Sequence, residues 1–302
     1  CCRGKRCVAC KIRISFSYFI LNMQNEAFSS IDLVAQCLID EPRSKAFEAA
    51  LKAAIQTGAR VLDVGTGSGL MAMFAARACA GSVLAIEFDP YVASVAKKNI
   101  EANGLSDKIK LVEGDGRTYV FPKGTHFDVV VMEMLTTGMV DEFQVQAVNN
   151  LHKQKVVSPD TIFVPARQQT FIELTNKDFS LYGFEFKMVQ HLWNNLSENQ
   201  KYRLFSKRTL LSEVSFGEEN NEQFERTLSI IPTATGVVNS VRLSGETALW
   251  GGIALRDTET FDAPVVVPIK EAIVTEGSEV TLTVRYRFGF GPRRIALGTD
   301  SR

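Results

Sequence analysis

The stretch Val61-Leu-Asp-Val-Gly65-Thr-Gly-Ser-Gly69 decides how the first half of this chain folds. A strand-like run over residues 60–64 leads into a turn with glycine at every second position, and residues 70–79 continue with a helical pattern. Glycine has no Cβ, so such a turn lets the backbone pass close to a ligand. Because α/β folds bind ligands at the carboxyl ends of parallel strands, the stretch predicts a binding site at the end of one such strand.

Helix and strand patterns alternate on both sides of this turn. The predicted elements are helices over residues 31–56 and 90–103 and strands over residues 82–87, 109–112 and 127–132. Alternation of this kind is typical of a parallel sheet with helices on both faces. We therefore expect an α/β domain over residues 23–165.

The pattern changes after Pro165. Alternating, β-rich runs follow without long helices between them, over residues 168–174, 227–231, 237–243 and 280–288. They indicate a mainly antiparallel domain, a barrel or a sandwich, which we assign to residues 166–302. The polar stretch 194–225 interrupts these runs and is predicted to be a helical excursion or a loop.

The first 22 residues differ from the rest and are predicted to be a disordered leader, with Met23 as the natural start. They carry five basic residues and no acid. They also hold four of the six cysteines: Cys1, Cys2, Cys7 and Cys10. A signal peptide and a zinc site are the alternatives. Ser15 and Ser17 interrupt the apolar part that a signal peptide needs, and no second C-x-x-C follows for zinc, so no metal site is expected.

The composition disfavours several other classes of protein. Hydrophobic residues make up 45% of the chain and charged residues 23%, the balance of a chain that buries a core. The 34 basic and 34 acidic residues leave no positive surplus, so nucleic acid is not expected as the main partner. The sequence contains no run of 18 apolar residues, so no membrane span is predicted. Sparse cysteines beyond the leader favour a reducing compartment, which we expect to be the cytoplasm, and also the nucleus in a eukaryote.

Acidic residues follow two further strands and suit a cofactor that contains a ribose. Glu87 ends the second strand, where an acid can accept hydrogen bonds from both ribose hydroxyls. Glu113-Gly-Asp115-Gly116 follows the third strand, where an adenine edge would lie. A dinucleotide site is the alternative. The G-x-G-x-G spacing, in place of G-x-G-x-x-G, and Asp63 two residues before the first glycine distinguish the two.

Together these residues resemble the class I S-adenosylmethionine (AdoMet) methyltransferases. The resemblance implies a Rossmann-like domain in which the glycines line the amino-acid end of AdoMet, Glu87 holds the ribose, and Asp115 with Gly116 meets the adenine. The glycine turn then contributes the cofactor-binding residues Asp63, Gly65, Thr66, Gly67 and Gly69.

Glu133 and Glu142 lie nine residues apart, across a loop that follows the fourth strand and contains Gly138. Two carboxylates at one mouth suit a planar guanidinium, whose five N–H donors form a fork that carboxylates accept in pairs. The alternatives are that either acid is simply solvated, or that Asp141 and Glu142 favour the start of a helix.

This pair, following an AdoMet-type turn, resembles the double-glutamate loop of the protein arginine methyltransferases. The segment Leu38-Ile-Asp40-Glu-Pro-Arg43 is similar to that family's N-terminal D-x-x-R, whose arginine meets the AdoMet carboxylate. A surface arginine is the alternative for Arg43. The resemblance implies a Rossmann-like domain followed by a β-barrel-like one, nearest to the monomethylating (type III) and divergent branch. It also implies a possible homodimer, formed through a helical arm near residues 193–211.

One family feature is missing. Most members carry a Thr-His-Trp loop beside the active site, whereas the last histidine here is His191. Thr260-Phe261-Asp262 is the nearest replacement by position.

The resulting hypothesis is an enzyme that transfers a methyl group from AdoMet to a guanidino nitrogen of arginine in a protein or peptide. Glu133 and Glu142 are its predicted catalytic residues, and Glu133 also belongs to the predicted cofactor site. A methyltransferase with a small-molecule or other acceptor and a non-catalytic AdoMet-fold scaffold are the alternatives.

Overall fold

The computed structural model describes residues 31–193, 201–291 and 296–300. Its helices are α1 (Ile31–Ile39), α2 (Glu41–Ala54), α3 (Leu70–Arg77), α4 (Pro90–Ala102) and α5 (Gln144–Lys153), with a 3-10 turn at Thr137–Met139. None of these helices is both long enough and apolar enough to cross a membrane. The predicted leader, residues 1–22, lies outside the described residues.

A five-stranded parallel sheet forms the first half. Its strands are β1 (Arg60–Val64), β2 (Ser82–Glu87), β3 (Ile109–Glu113), β4 (Val129–Met132) and β5 (Ile162–Val164). Their order is β3-β2-β1-β4-β5, and every neighbouring pair is parallel. The chain runs outward from β1 through β3 and then crosses back to β4, so the order reverses between β1 and β4. Such a switch point opens a crevice at the strand ends. The predicted Rossmann-like domain is confirmed.

The spacing of apolar residues explains why β1, β4 and one face of α2 are buried. All four residues of β4 and the last four of β1 are buried, as expected for strands covered on both faces. Helix α2 buries Phe47, Ala50, Leu51 and Ala54, a spacing that lines one face of a helix.

The predicted single helix over residues 31–56 is wrong, because the structure has two helices that meet at Asp40. The Asp40 carboxylate accepts a hydrogen bond from the Arg43 backbone N–H at 3.2 Å and caps α2. Pro42 lies in the first turn of α2, where its missing N–H costs nothing. A start signal of Asp followed by Pro therefore divides an otherwise continuous apolar pattern.

The second half is mainly antiparallel, as predicted. Its strands are β6 (Arg167–Lys177), β7 (Ser180–Leu181), β8 (Phe184–Glu185), β9 (Gln190–His191), β10 (Tyr202–Leu204), β11 (Thr209–Ser215), β12 (Gln223–Ile230), β13 (Gly236–Ala248), β14 (Ala254–Leu255), β15 (Val265–Val274), β16 (Val280–Arg287) and β17 (Ala296–Asp300). A seven-stranded sheet runs β10-β6-β13-β15-β9, with β11 on β6 and β14 on β13, while β12-β16-β17 form a three-stranded sheet. Closure of these sheets into a barrel stays a prediction.

The predicted helical arm near residues 193–211 is wrong over its described part. Tyr202–Leu204 and Thr209–Ser215 are strands that pair antiparallel with β6. The 11-residue strand β6 offers backbone partners to both segments, and this pairing overrides the helix-like spacing of their apolar residues. Residues 194–200 of the predicted arm lie outside the described residues.

The two sheets meet over a very short connection. Strand β5 ends at Val164 and β6 begins at Arg167. Between them the Ala166 N–H donates to the carbonyls of Ala248 and Leu249, at 2.9 and 3.0 Å, and its own carbonyl accepts from the Phe216 N–H at 2.9 Å. Both the N–H and the carbonyl of Ala166 therefore fix the connection to the antiparallel half. The predicted domain boundary at residues 165/166 falls within this segment and stays a prediction.

Candidate active site

A cavity of about 210 Å³ opens at the carboxyl ends of β1, β2 and β4. Of the ten residues predicted to bind the cofactor, all but Gly69 line it: Arg43, Asp63, Gly65, Thr66, Gly67, Glu87, Asp115, Gly116 and Glu133. Gly69 instead occupies the N-cap position of α3, with a φ of 87° that favours glycine. The structure thus brings together residues that lie more than 80 positions apart in sequence.

The side chain of Asp63 fixes the position of the glycine turn. This carboxylate accepts a hydrogen bond from Thr66 Oγ1 at 2.5 Å and another from the Ala72 N–H. Burial raises the pKa of Asp63 to about 7. Asp63 therefore joins the end of β1 to the turn and to α3.

Two acids of the cofactor cavity differ in their partners. The Glu87 carboxylate accepts from the Gly67 N–H at 2.8 Å and from the Asp89 N–H at 3.0 Å, which fixes it at the cavity wall. Asp115 forms an ion pair with Arg117 at 2.6 Å. Burial would raise the pKa of Asp115, but hydrogen bonds from Arg117 outweigh it and hold that pKa below its ordinary value.

Arg43 is buried, and its guanidinium pairs with the Glu133 carboxylate. Its Nη1 also donates to the Cys37 carbonyl at 3.1 Å, while no partner among the described residues meets Nε. Arg43 is thus a cation inside the cavity and not a solvated surface arginine.

The loop between Glu133 and Glu142 is closed at its base. The side-chain oxygen of buried Gln144 accepts from the Met134 N–H at 2.9 Å, so the two ends of the loop stay together. Gly138 turns the chain with a φ of 74°. Glu142 lies at the cavity surface, where desolvation and the charge of Asp141 raise its pKa to about 7 against the opposing effect of Arg43.

A second cavity, of about 50 Å³, adjoins the first. The two share four lining residues, Leu33, Cys37, Glu133 and Glu142. The far side of this second cavity, which is called the acceptor cavity below, comes from the antiparallel half: His191, Trp193, Thr260, Asp262 and Ala263. The sequence reasoning missed His191 and Trp193 as site residues, because no motif connects β9 with the glutamate loop.

The predicted replacement loop, Thr260-Phe261-Asp262, lies at this cavity, but its polar groups are engaged elsewhere. Thr260 donates twice to Asp40. Asp262 accepts from Thr137 Oγ1 at 2.8 Å and from Gln168 Nε2 at 3.0 Å, and burial raises its pKa to about 6. Asp262 therefore joins the glutamate loop, through Thr137, to strand β6 of the antiparallel sheet, through Gln168.

A family model described as Ribosomal protein L11 methyltransferase (PrmA) matches residues 46–199, which are 154 of the 302 residues. The chain belongs to this methyltransferase family. An uncharacterized protein of Methanocaldococcus jannaschii is 28% identical over 252 residues, 83% of this chain and 90% of that protein. The Arginine N(omega)-methyltransferase of Streptomyces achromogenes subsp. streptozoticus is 32% identical over 235 residues, 72% of this chain and 64% of that enzyme.

Similarity to protein arginine methyltransferases extends to fold. Protein arginine N-methyltransferase 7 of Drosophila grimshawi is 29% identical over 165 residues, 51% of this chain, which spans 23% of that protein. A chain of the Trypanosoma brucei PRMT1 enzyme-prozyme heterotetrameric complex with AdoHcy matches with a TM-score of 0.70 at 16% identity, over 89% of this chain and 97% of that one. The methyltransferase is therefore AdoMet-dependent, and its fold is similar to that of a protein arginine methyltransferase.

The residues of the larger cavity fit AdoMet. Glu87 offers a fixed carboxylate for ribose hydroxyls, and Arg43 offers a buried cation for a carboxylate. The Gly65 turn exposes backbone beside them, and a Cβ at Gly65 would lie 2.8 Å from Met134 Sδ. A side chain at position 65 would therefore displace Met134, and glycine avoids this displacement.

Proposed function

We propose that the chain transfers the AdoMet methyl group to a guanidino nitrogen of arginine in a protein or peptide. The observation that carries this proposal is that Glu133 and Glu142 line both cavities. A group bound between them would lie at the border of the cofactor and acceptor spaces. The described lining of the acceptor cavity contains carboxylates and no lysine or arginine, which suits a cationic acceptor.

When bound, AdoMet supplies a methyl group that its sulfonium has already activated. The chain must therefore orient the acceptor nitrogen toward that methyl carbon and exclude water. A guanidinium is a poor nucleophile because its lone pairs are delocalised. Glu133 and Glu142 orient the fork and concentrate positive charge on the nitrogens that do not react. Arg43 fixes Glu133 in place through their ion pair.

A small guanidino compound, such as free arginine, is the second candidate acceptor. The name of the Streptomyces relative, an arginine N(omega)-methyltransferase, favours it. The two glutamates recognise the guanidinium in either case, so the clamp does not distinguish a peptide from a free amino acid.

The test is to incubate the protein with AdoMet and, in parallel, an arginine- and glycine-rich peptide, its lysine-substituted counterpart, and free arginine. Mass spectrometry should find one or two added methyl groups on the arginine peptide and none on the lysine peptide. Methylation of free arginine alone would move the proposal to a small-molecule acceptor. AdoMet binding measured by calorimetry, without methylation of either guanidino compound, would overturn the guanidino assignment.

The predicted homodimer and the cytoplasmic location also stay proposals. Support for self-association comes from the oligomeric assembly named for the Trypanosoma structure. It also comes from the hairpin of β7 and β8, where Tyr182 and Phe184 are 94% and 68% exposed. Sedimentation of the wild type should report a dimer, and Tyr182→Ser with Phe184→Ser should weaken it. A monomer at micromolar concentration would refute the dimer.

A further inference from the structure

His191 reaches the acceptor cavity from a firmly anchored strand. In β9 it pairs with Val265 of β15, and the next N–H, that of Leu192, donates to the Pro264 carbonyl at 2.7 Å. The Leu192 side chain is buried. Because side chains alternate along a strand, His191 and Trp193 lie on the opposite side, where both line the cavity. Their rings stack at 5.5 Å with 18° between their planes.

The imidazole is also oriented from the glutamate loop. Its Nε2 lies 3.6 Å from Oδ2 of Asp141, the residue that precedes Glu142. The Asp141 N–H donates to Thr136 Oγ1 at 3.2 Å, which holds the backbone of Asp141 within the glutamate loop. Histidine rings are commonly held in one orientation by a carboxylate on one nitrogen, which leaves the other nitrogen for proton transfer.

The reaction requires a group that removes a proton. A guanidinium that gains a methyl group must lose one N–H proton to remain a single cation. Glu133 is already paired with Arg43. Asp262 accepts two hydrogen bonds at Oδ1, and its Oδ2 packs against Gly245.

The side chain of His191 is 24% exposed, against 13% for both Asp141 and Glu133. Among these three groups, His191 has the best connection between the cavity and solvent. Burial lowers the pKa of His191, although the charge of Asp141 opposes this, so the ring is mainly neutral near pH 7 and able to accept a proton.

We propose that His191 accepts the proton that methylation displaces and passes it to solvent, with Asp141 as the positioning residue; this inference rests on the proposed function. A bond forms between the guanidino nitrogen and the methyl carbon. The carbon–sulfur bond breaks with its electron pair on sulfur, and the N–H proton passes to the unprotonated nitrogen of His191. The titratable groups around the ring are Asp141, Glu142, Glu133, Asp262 and Cys37, with Arg43 beyond Glu133.

The test compares His191→Ala with His126→Ala, a control at the opposite end of β4, using the guanidino acceptor that the wild type methylates. We expect His191→Ala to bind AdoMet within about threefold of the wild type in calorimetry and to lose at least about tenfold in kcat. Added imidazoles should restore part of this rate, more strongly as the pKa of the added base rises. A loss below twofold, or a loss that no imidazole restores, would overturn the inference.

A second variant guards against a folding defect. In the wild type, kcat should rise with pH as His191 and Glu142 lose their protons. His191→Gln should keep only the rise that follows Glu142, because an amide does not titrate. Asp141→Asn should shift the midpoint of the rise to lower pH, because it removes the charge that favours the protonated ring. A wild-type pH profile in His191→Gln contradicts the inference. Failure of the wild type to methylate any guanidino compound refutes the proposed function instead.

Discussion

The Asp40 carboxylate accepts two hydrogen bonds from Thr260, one from its N–H at 2.9 Å and one from its hydroxyl at 2.8 Å. Thr258 Oγ1 donates to the same carboxylate oxygen. Asp40 also caps α2, so one side chain joins the helix junction beside the cofactor cavity to the loop beside the acceptor cavity. This contact crosses 220 positions of sequence.

Asp40→Asn should therefore weaken the junction while keeping a residue that caps helices well. The amide has one acceptor oxygen instead of two, so donors from Thr258 and Thr260 lose their partner. We expect the free energy of unfolding in urea to fall by about 2 kcal/mol at pH 7, and AdoMet to bind several-fold more weakly. Asp160→Asn, at an exposed turn, is the matched control and should change neither quantity.

The same variant should reveal a dependence on pH. Burial would raise the pKa of Asp40, but the hydrogen bonds from Thr258 and Thr260 outweigh it and lower that pKa below 3.8. A lowered pKa contributes stability above the ordinary value and loses it as the pH falls through the folded-state value. The difference between wild type and Asp40→Asn should thus shrink below pH 3.8. A difference that stays constant down to pH 3 would contradict this account of Asp40.

Glu142→Gln should separate catalysis from cofactor binding. The amide keeps the size of the side chain but removes the charge that the proposed clamp needs. We expect kcat to fall by roughly 10²-fold or more while the Kd for AdoMet changes only a few-fold. Glu218→Gln, an exposed acid, is the control. Parallel loss of turnover and AdoMet affinity in folded protein would show that Glu142 does not have this divided role.

Gly245→Ala should disrupt the loop beside the acceptor cavity. An added Cβ would lie 1.7 Å from Oδ2 of Asp262, so the loop must move. We expect a loss of about 3 kcal/mol in urea unfolding. At Gly217 the nearest atom to a Cβ is 3.9 Å away, so Gly217→Ala is the control. Combining Gly245→Ala with Asp262→Ala should cost less than the sum of the two, and simple additivity would argue against the clash.

Asp262→Asn should reduce the dependence of stability on pH. Because burial raises the pKa of Asp262 to about 6, its contribution is present at low pH and lost as the pH rises through that value. Between pH 4 and pH 7 the wild type should lose on the order of 2 kcal/mol that the variant retains. Urea titrations at both pH values measure this, and equal slopes in the two proteins would mean that Asp262 ionises normally.

Local sequence was sufficient for the parallel half. The run from Arg60 to Gly69 contains a buried strand, three glycines and the start of a helix within ten residues, so neighbouring positions alone specify the turn. The nine-residue spacing of Glu133 and Glu142 likewise brought both side chains to the border of two cavities. Their catalytic roles stay predictions.

Features that depend on distant partners were not predictable in this way. The strands at Tyr202–Leu204 and Thr209–Ser215 exist because β6 offers them backbone partners, whereas their own apolar spacing resembles a helix. His191 belongs to the acceptor cavity because β9 pairs with β15. Asp262 can join the glutamate loop to β6 only because Gly245 has no side chain where the Asp262 carboxylate lies. No local motif in the sequence predicts these contacts between distant residues.

The short, hydrogen-bonded connection at Ala166 has a consequence for how an acceptor enters. Three backbone hydrogen bonds tie Ala166 to the antiparallel half, and Pro165 alone stands between Ala166 and the end of β5, so little free chain is left there to act as a hinge. Helix α1 is different, because it contributes Leu33 and Cys37 to both cavities yet has no fully buried residue. We therefore expect admission of substrate to involve the lifting of one nine-residue helix, a far cheaper motion than parting two sheets.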